Sequence, residues 1–109
     1  MKAFVMTAVR EPFNVKELPD PHPGPGQVRI RLHASGVCGT DVHAWHGELP
    51  LPLPIVLGHE PAGVVDLIGQ GVKSLKAGDR VGASWFQAGC GRCGYCQRKQ
   101  IRFCADAKT

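Results

Sequence analysis

Cys90, Cys93, Cys96 and Cys104 stand in the spacing C-x2-C-x2-C-x7-C near the end of a 109-residue chain. Two-residue gaps let a tight turn bring successive thiolates onto one ion, and the longer gap lets the chain loop around to close a tetrahedron. Four sulfurs with no open position suit a structural Zn²⁺. Gly91 and Gly94 fall inside the two short gaps, where a crowded turn benefits from a missing Cβ. Disulfides are not expected, because residues 1–10 are broken by charge and lack the apolar stretch of a secretory leader. A bacterial ferredoxin run closes with x3 and a proline. This one closes with x7 and Ala105 follows. The spacing therefore predicts zinc, in a lobe over residues 88–106.

A second group lies upstream and comprises Cys38, Thr40, Asp41, His43, His59 and Glu60. Cys38 and His59 are a soft and a borderline metal ligand, each beside a glycine that would open a site to substrate. Two protein ligands do not complete such a site, since a catalytic zinc keeps three plus a water. Asp41 and Glu60 could orient the ligands from behind, or Glu60 could itself coordinate. Residue types alone are only suggestive, because a cysteine and a histidine so far apart are more often unrelated than paired. His22, His33 and His46 read as surface residues.

The elements that must position these groups are short. Strands are expected over residues 2–9 and, after the Glu11-Pro12 turn, over 13–18. Residues 19–26 (PDPHPGPG) form a proline-stiffened connector. Residues 28–33 alternate polar and apolar, as a half-buried strand does. Residues 39–46 read as a short helix opened by Thr40 or Asp41, both good N-cap types. A proline-rich loop covers 47–54, an apolar β-branched strand 62–68, and a turn 69–71. A last strand over 79–85 leads into the cysteine lobe. Gly69-x-Gly71 is not a dinucleotide fingerprint, because Ser74 stands at its third glycine position and no helical pattern follows.

Fourteen glycines and nine prolines favour many turns over long helices. The length allows a single domain with a modest core, and no apolar run is long enough to span a bilayer. The formal charge of +4 counts thiols as neutral; four zinc-bound thiolates would lower it to about +2. That weakens any case for nucleic acid. No membrane partner is expected, and a cytoplasmic location is.

Gly36-Val-Cys-Gly-Thr-Asp-Val-His43, then Gly58-His-Glu-Pro-Ala-Gly63 with Gly69 and Val72, then Gly78-Asp-Arg-Val81, then the cysteine lobe, follow one another along the chain. Together they resemble the N-terminal, GroES-like catalytic domain of the zinc-dependent medium-chain alcohol dehydrogenases, over essentially all of residues 1–109. The resemblance implies a mainly β fold, a partly closed GroES-like barrel with short helices and a zinc-binding lobe. It implies that Cys38 and His59 bind catalytic zinc, with Asp41 and Glu60 near it. Thr40 would pass on the alcohol proton, and His43 would take it toward solvent through the cofactor ribose, contacting the cofactor as it does so. Cys90, Cys93, Cys96 and Cys104 would hold structural zinc, and Trp85 or Phe86 would line the substrate pocket. The implied substrates are small alcohols or aldehydes, with NAD(P) as cofactor and a dimeric or tetrameric parent.

The chemistry suits these types. Zinc is a Lewis acid toward an alcohol oxygen and a nicotinamide accepts hydride. A threonine hydroxyl donates and accepts at once. Histidine titrates in the useful range. The resemblance also marks departures. Enzymes of the family continue to a third catalytic-zinc ligand, a Rossmann domain and a return segment. Residues 1–109 alone are therefore expected neither to bind a dinucleotide nor to transfer hydride. Lys99 stands where the lobe usually carries glycine, at a cost of about 1 kcal/mol if φ is positive there. Gly39 stands where some relatives place a cation against the cofactor pyrophosphate. The competing reading is a non-enzymatic zinc module contacting protein or nucleic acid through Arg92, Arg98, Lys99, Arg102 and Lys108. The lobe has only Tyr95 and Phe103 as aromatics, and a basic run of this kind is usually a solvated face.

Overall fold

The structure is a computed structural model, and it describes residues 1–86 and 88–108. Strands β1 (Lys2–Val5) and β2 (Asn14–Glu17) form an antiparallel hairpin, in register from Lys2↔Glu17 to Val5↔Asn14. Strands β3 (Val28–Ser35), β4 (Pro61–Ile68) and β5 (Arg80–Gly82) form an antiparallel sheet in that order. Helix α1 (Gly39–Trp45) lies between β3 and β4 in the chain. Helix α2 (Gly94–Gln97) and a 3-10 turn (Ile101–Phe103) belong to the cysteine lobe. The fold is mainly β with few helices. Among the described residues the two sheets do not close into a barrel.

Two strands are shorter than the apolar pattern predicts, each because its partner runs out. β1 stops at Val5, which pairs with Asn14 at the start of β2. Met6 then changes partner and exchanges backbone hydrogen bonds with Ile55 at 2.8 and 3.0 Å. The expected strand over 79–85 shrinks to three residues. β5 pairs with Ala62–Val64, Ala83 N–H reaches Pro61 O at 3.0 Å, and β4 has no residue beyond.

The β3–β4 ladder is long but broken by two register shifts, which skip Asp66 on one strand and His33 on the other. Such bulges re-aim side chains. Asp66 meets Arg29 in a two-pronged pair at 2.9 and 3.0 Å. The Arg29 hydrogen bonds hold the Asp66 carboxyl below its ordinary value. His33 is exposed, as its polar-face position predicts. Between the shifts the strands approach closely at Gly63, where a Cβ would run into the Arg31 carbonyl. The buried apolar set is small: Ala3, Val5, Met6, Ala44, Val65 and Cys104. Burying a full side chain of this kind contributes about 1.5–3 kcal/mol, so the described core is modest. Among the described residues no helix is long and apolar enough to cross a membrane.

Candidate active site and metal centres

The end of β3 and the start of β4 are a paired position, Ser35↔Pro61. Just outside it, Gly36 N–H donates to Glu60 O at 3.0 Å. The sheet thereby fixes the segments that carry Cys38 on one side and His59 and Glu60 on the other. A Cβ on Gly36 would collide with the Glu60 carboxylate, so glycine at 36 makes room for that side chain.

Cys38 is also the N-cap of α1, at φ −117° and ψ 172°. This corrects the expectation that Thr40 or Asp41 opens the helix. The sulfur accepts from Thr40 N–H at 3.3 Å, and Asp41 reaches back to accept from Cys38 N–H at 3.0 Å. The capping box needs an acceptor at the N-cap and a carboxylate three residues on, and here a thiol takes the usual hydroxyl's place.

Cys38 Sγ lies 3.0 Å from His59 Nε2. Asp41 Oδ1 lies 3.5 Å from the other ring nitrogen, Nδ1, and both side chains are about seven-eighths covered. Trp85 stacks on the His59 ring, with centroids 4.5 Å apart and planes 28° from parallel. One donor atom each from Cys38, His59 and Glu60 falls within 4.8 Å of the others. Around a tetrahedral zinc, sulfur and nitrogen ligands sit about 3.6 Å apart. Cys38 and His59 would therefore part by about 0.6 Å to admit the ion. The donor set fits zinc, with a carboxylate backing the histidine as such ligands ordinarily have.

Thr40, Asp41, His59 and Trp85 line one cavity of about 110 Å³, together with the apolar Leu49, Leu51, Ile55, Val56 and Leu57. Those five apolar residues lie in and beyond the stretch that the sequence marks only as a proline-rich loop. Phe86 is exposed and is not among the lining residues, so the aromatic that reaches the cavity is Trp85. His43 lies outside the cavity, one turn after Thr40 on the same face of α1, and is exposed. Its Nδ1 is 2.5 Å from Glu48 Oε2. Glu48 is the partner that sequence reasoning missed. Its only signal is a carboxylate five residues after His43, just beyond the helix end.

In the lobe, the four sulfurs lie within 4.8 Å of one another. Cys90 and Cys96 are 3.9 Å apart, close to the roughly 3.8 Å edge of a tetrahedral ZnS₄ unit. Backbone N–H groups of Cys90, Cys93 and Cys96 point at the sulfurs of Cys104, Cys90 and Cys93 at 3.4, 3.4 and 3.5 Å. The N–H groups of Arg92 and Cys93 pull Cys90 down to about 6. Cys96 is pushed up to about 12. The Gly91 N–H opposes that rise, but burial and a proton shared with Cys93, Cys104 and Cys90 outweigh it. Four like groups this close cannot all ionise alone, and a divalent cation removes the conflict. The set fits zinc. Lys99 does adopt a positive φ of 59°. Arg98 lies over Tyr95 and Arg102 over Phe103, at 5.2 and 4.7 Å from the ring centroids. Two of the lobe's five cations thus engage its own aromatics.

The family model of the alcohol dehydrogenase GroES-like domain matches residues 24–109. This chain belongs to that family. An alcohol dehydrogenase of Geobacillus stearothermophilus is 45% identical over 106 residues, covering 95% of this chain and 32% of the relative. The solved alcohol dehydrogenase zinc-binding domain protein from Burkholderia ambifaria superposes with a TM-score of 0.83 at 38% identity, over 95% of this chain and 28% of that one. A structure named CAD from Helicobacter pylori, complexed with NADP(H), gives a TM-score of 0.82 at 32% identity, over 98% and 31%. The chain thus spans about a third of the length of the relatives it matches.

Proposed function

We propose that residues 1–109 form the metal-holding catalytic portion of a zinc-dependent alcohol dehydrogenase, oxidising a small alcohol to an aldehyde or ketone with NAD(P). The observation that carries this is the approach of Cys38 and His59 to 3.0 Å beside a small cavity that Thr40 and Trp85 also line. Cys38 and His59 would hold the catalytic zinc with Glu60 in reach, and the lobe cysteines would hold a structural zinc. The zinc supplies Lewis acidity that favours loss of the alcohol proton, and the dinucleotide supplies the hydride acceptor.

The chain's own residues do the rest. The Thr40 hydroxyl accepts the alcohol proton and donates its own onward without ionising. His43, one helical turn further out, receives it at an exposed position. Asp41 holds the His59 ring so that Nε2 faces the Cys38 sulfur. Trp85 and the apolar wall from Leu49 to Leu57 keep water from the substrate. All five cysteines are free, which accords with a reducing, cytoplasmic setting. On this reading the dinucleotide is held by a further domain of the parent enzyme, as the family resemblance implies.

The test joins residues 1–109 to the remaining two-thirds of the Geobacillus relative. The 109-residue chain incubated with a primary alcohol and NAD⁺ should form no NADH, and the joined protein should form it. Cys38→Ser should abolish that turnover while leaving the lobe metal in place. Turnover by the 109-residue chain itself, or a joined protein indifferent to Cys38→Ser, would overturn the reading.

A further inference from the structure

Glu48, a carboxylate to which the proposed chemistry gives no role, is paired with two histidines where α1 ends. His46 is the C-cap, and Gly47 follows at φ +79°, a conformation that favours glycine. Glu48 N–H donates to His43 O at 3.0 Å and Gly47 N–H to Ala44 O at 3.0 Å. Those two bonds are the six-to-one and five-to-two closures of a Schellman motif. Their result is that residue 48 returns alongside residue 43. The Glu48 carboxylate then spans two imidazoles, with Oε2 at 2.5 Å from His43 Nδ1 and Oε1 at 3.3 Å from His46 Nδ1.

We propose that Glu48 is a positioning residue that fixes His43 in its Nδ1–H tautomer, so that Nε2 is the ring's free proton acceptor. An ionised carboxylate can only accept, so the nitrogen facing it must carry the hydrogen. The other nitrogen of a neutral ring is then unprotonated, and the tautomer is set by the bond its partner makes. Hydrogen bonding from His43 holds the Glu48 carboxyl below its ordinary value, with a smaller contribution from His46, which keeps it ionised at neutral pH. A looser version stands at His59, whose Nδ1 lies 3.5 Å from Asp41 Oδ1 while Nε2 faces Cys38. Each histidine of α1 and the proposed site is thus backed at Nδ1 by a carboxylate. The functional weight of Glu48 rests on the proposed role of His43, but its effect on the ring does not.

The experiment is a long-range proton–nitrogen correlation spectrum of the ¹⁵N-labelled, zinc-loaded 109-residue chain, taken where His43 is neutral. The expected pattern is a protonated Nδ1 and an unprotonated Nε2. Glu48→Ala should invert it toward the Nε2–H form that free histidine favours, with the backbone amides of β3 and β4 unmoved. His46→Ala, which leaves Glu48 in place, should preserve the parent pattern. Should Glu48→Ala fail to fold, Glu48→Met keeps bulk without an acceptor and reads the same inversion. An Nε2–H ring in the parent chain, or a pattern indifferent to loss of the carboxylate, overturns the proposal. Failure of the functional reading shows elsewhere, as turnover of the joined protein unaffected by His43→Ala.

Discussion

The cysteine lobe takes all four of its donors from residues 90–104, and the turns that space them also aim backbone N–H groups at the sulfurs. The second group takes Cys38 from the entry to α1 and His59 and Glu60 from the approach to β4, twenty-one positions later. Nothing local holds those two segments together; the β3–β4 ladder does, ending one residue short of the Gly36–Glu60 bond. On the proposed function the lobe would take its shape from an ion, whereas the second site takes its shape from the sheet. In the lobe the donors are all thiols, which a divalent cation would let ionise together. At the second site a sulfur and a nitrogen can hydrogen-bond directly and wait.

The sharpest way to break this contrast is to remove the ions. Chelation, or Cys96→Ser, should unfold the lobe, since structural zinc contributes on the order of 10 kcal/mol in small domains. The amide resonances of β3 and β4 should persist in the same sample. Loss of the sheet along with the lobe would erase the distinction. Next in size is Asp41→Ala, which removes the carboxylate behind His59. It should weaken metal binding at Cys38 and His59 by about 10- to 100-fold while leaving lobe zinc unchanged, as competition with a chromophoric chelator would read.

Lys99→Gly should sharpen the contrast from the other side. Relieving a side chain held at φ 59° should stabilise the lobe by about 0.5–1 kcal/mol. The signal is a later denaturation midpoint for Tyr95 fluorescence and none for the sheet. The smallest effect belongs to Asp66→Asn in the sheet. The folded Asp66 pKa lies below its unfolded value of 3.8. Its contribution is therefore present above that pH and is lost as the pH falls through the folded pKa. Denaturation midpoints of the parent and Asp66→Asn should differ at pH 7 and converge as the pH is taken below 3.8.

What the sequence disclosed follows the same division. The lobe was readable because its chemistry is written in short gaps, and C-x2-C-x2-C-x7-C states the geometry outright. Cys38 with His59 was not readable from spacing, because the sheet register that joins them appears nowhere in the residues between. Only the resemblance of the flanking glycine strings to a family brought them together. Strand identities were legible from alternation, yet strand ends at Val5 and Gly82 were not, since each is set by where a partner stops. Cys38 as a helix cap was hidden by the usual preference for oxygen at that position. Glu48 was hidden because its place beside His43 comes from the left-handed turn at Gly47, a property of the backbone rather than of any side-chain pattern.

The Cys38 sulfur serves two masters, since it accepts from the Thr40 amide and stands among the proposed metal donors. A ligand that also starts a helix makes occupancy and helix entry linked equilibria, each biasing the other by the same free energy. The Thr40 amide then becomes a built-in gauge. Its rate of hydrogen exchange with water reports the charge on a sulfur two residues away, so filling of the site can be followed by watching one backbone proton.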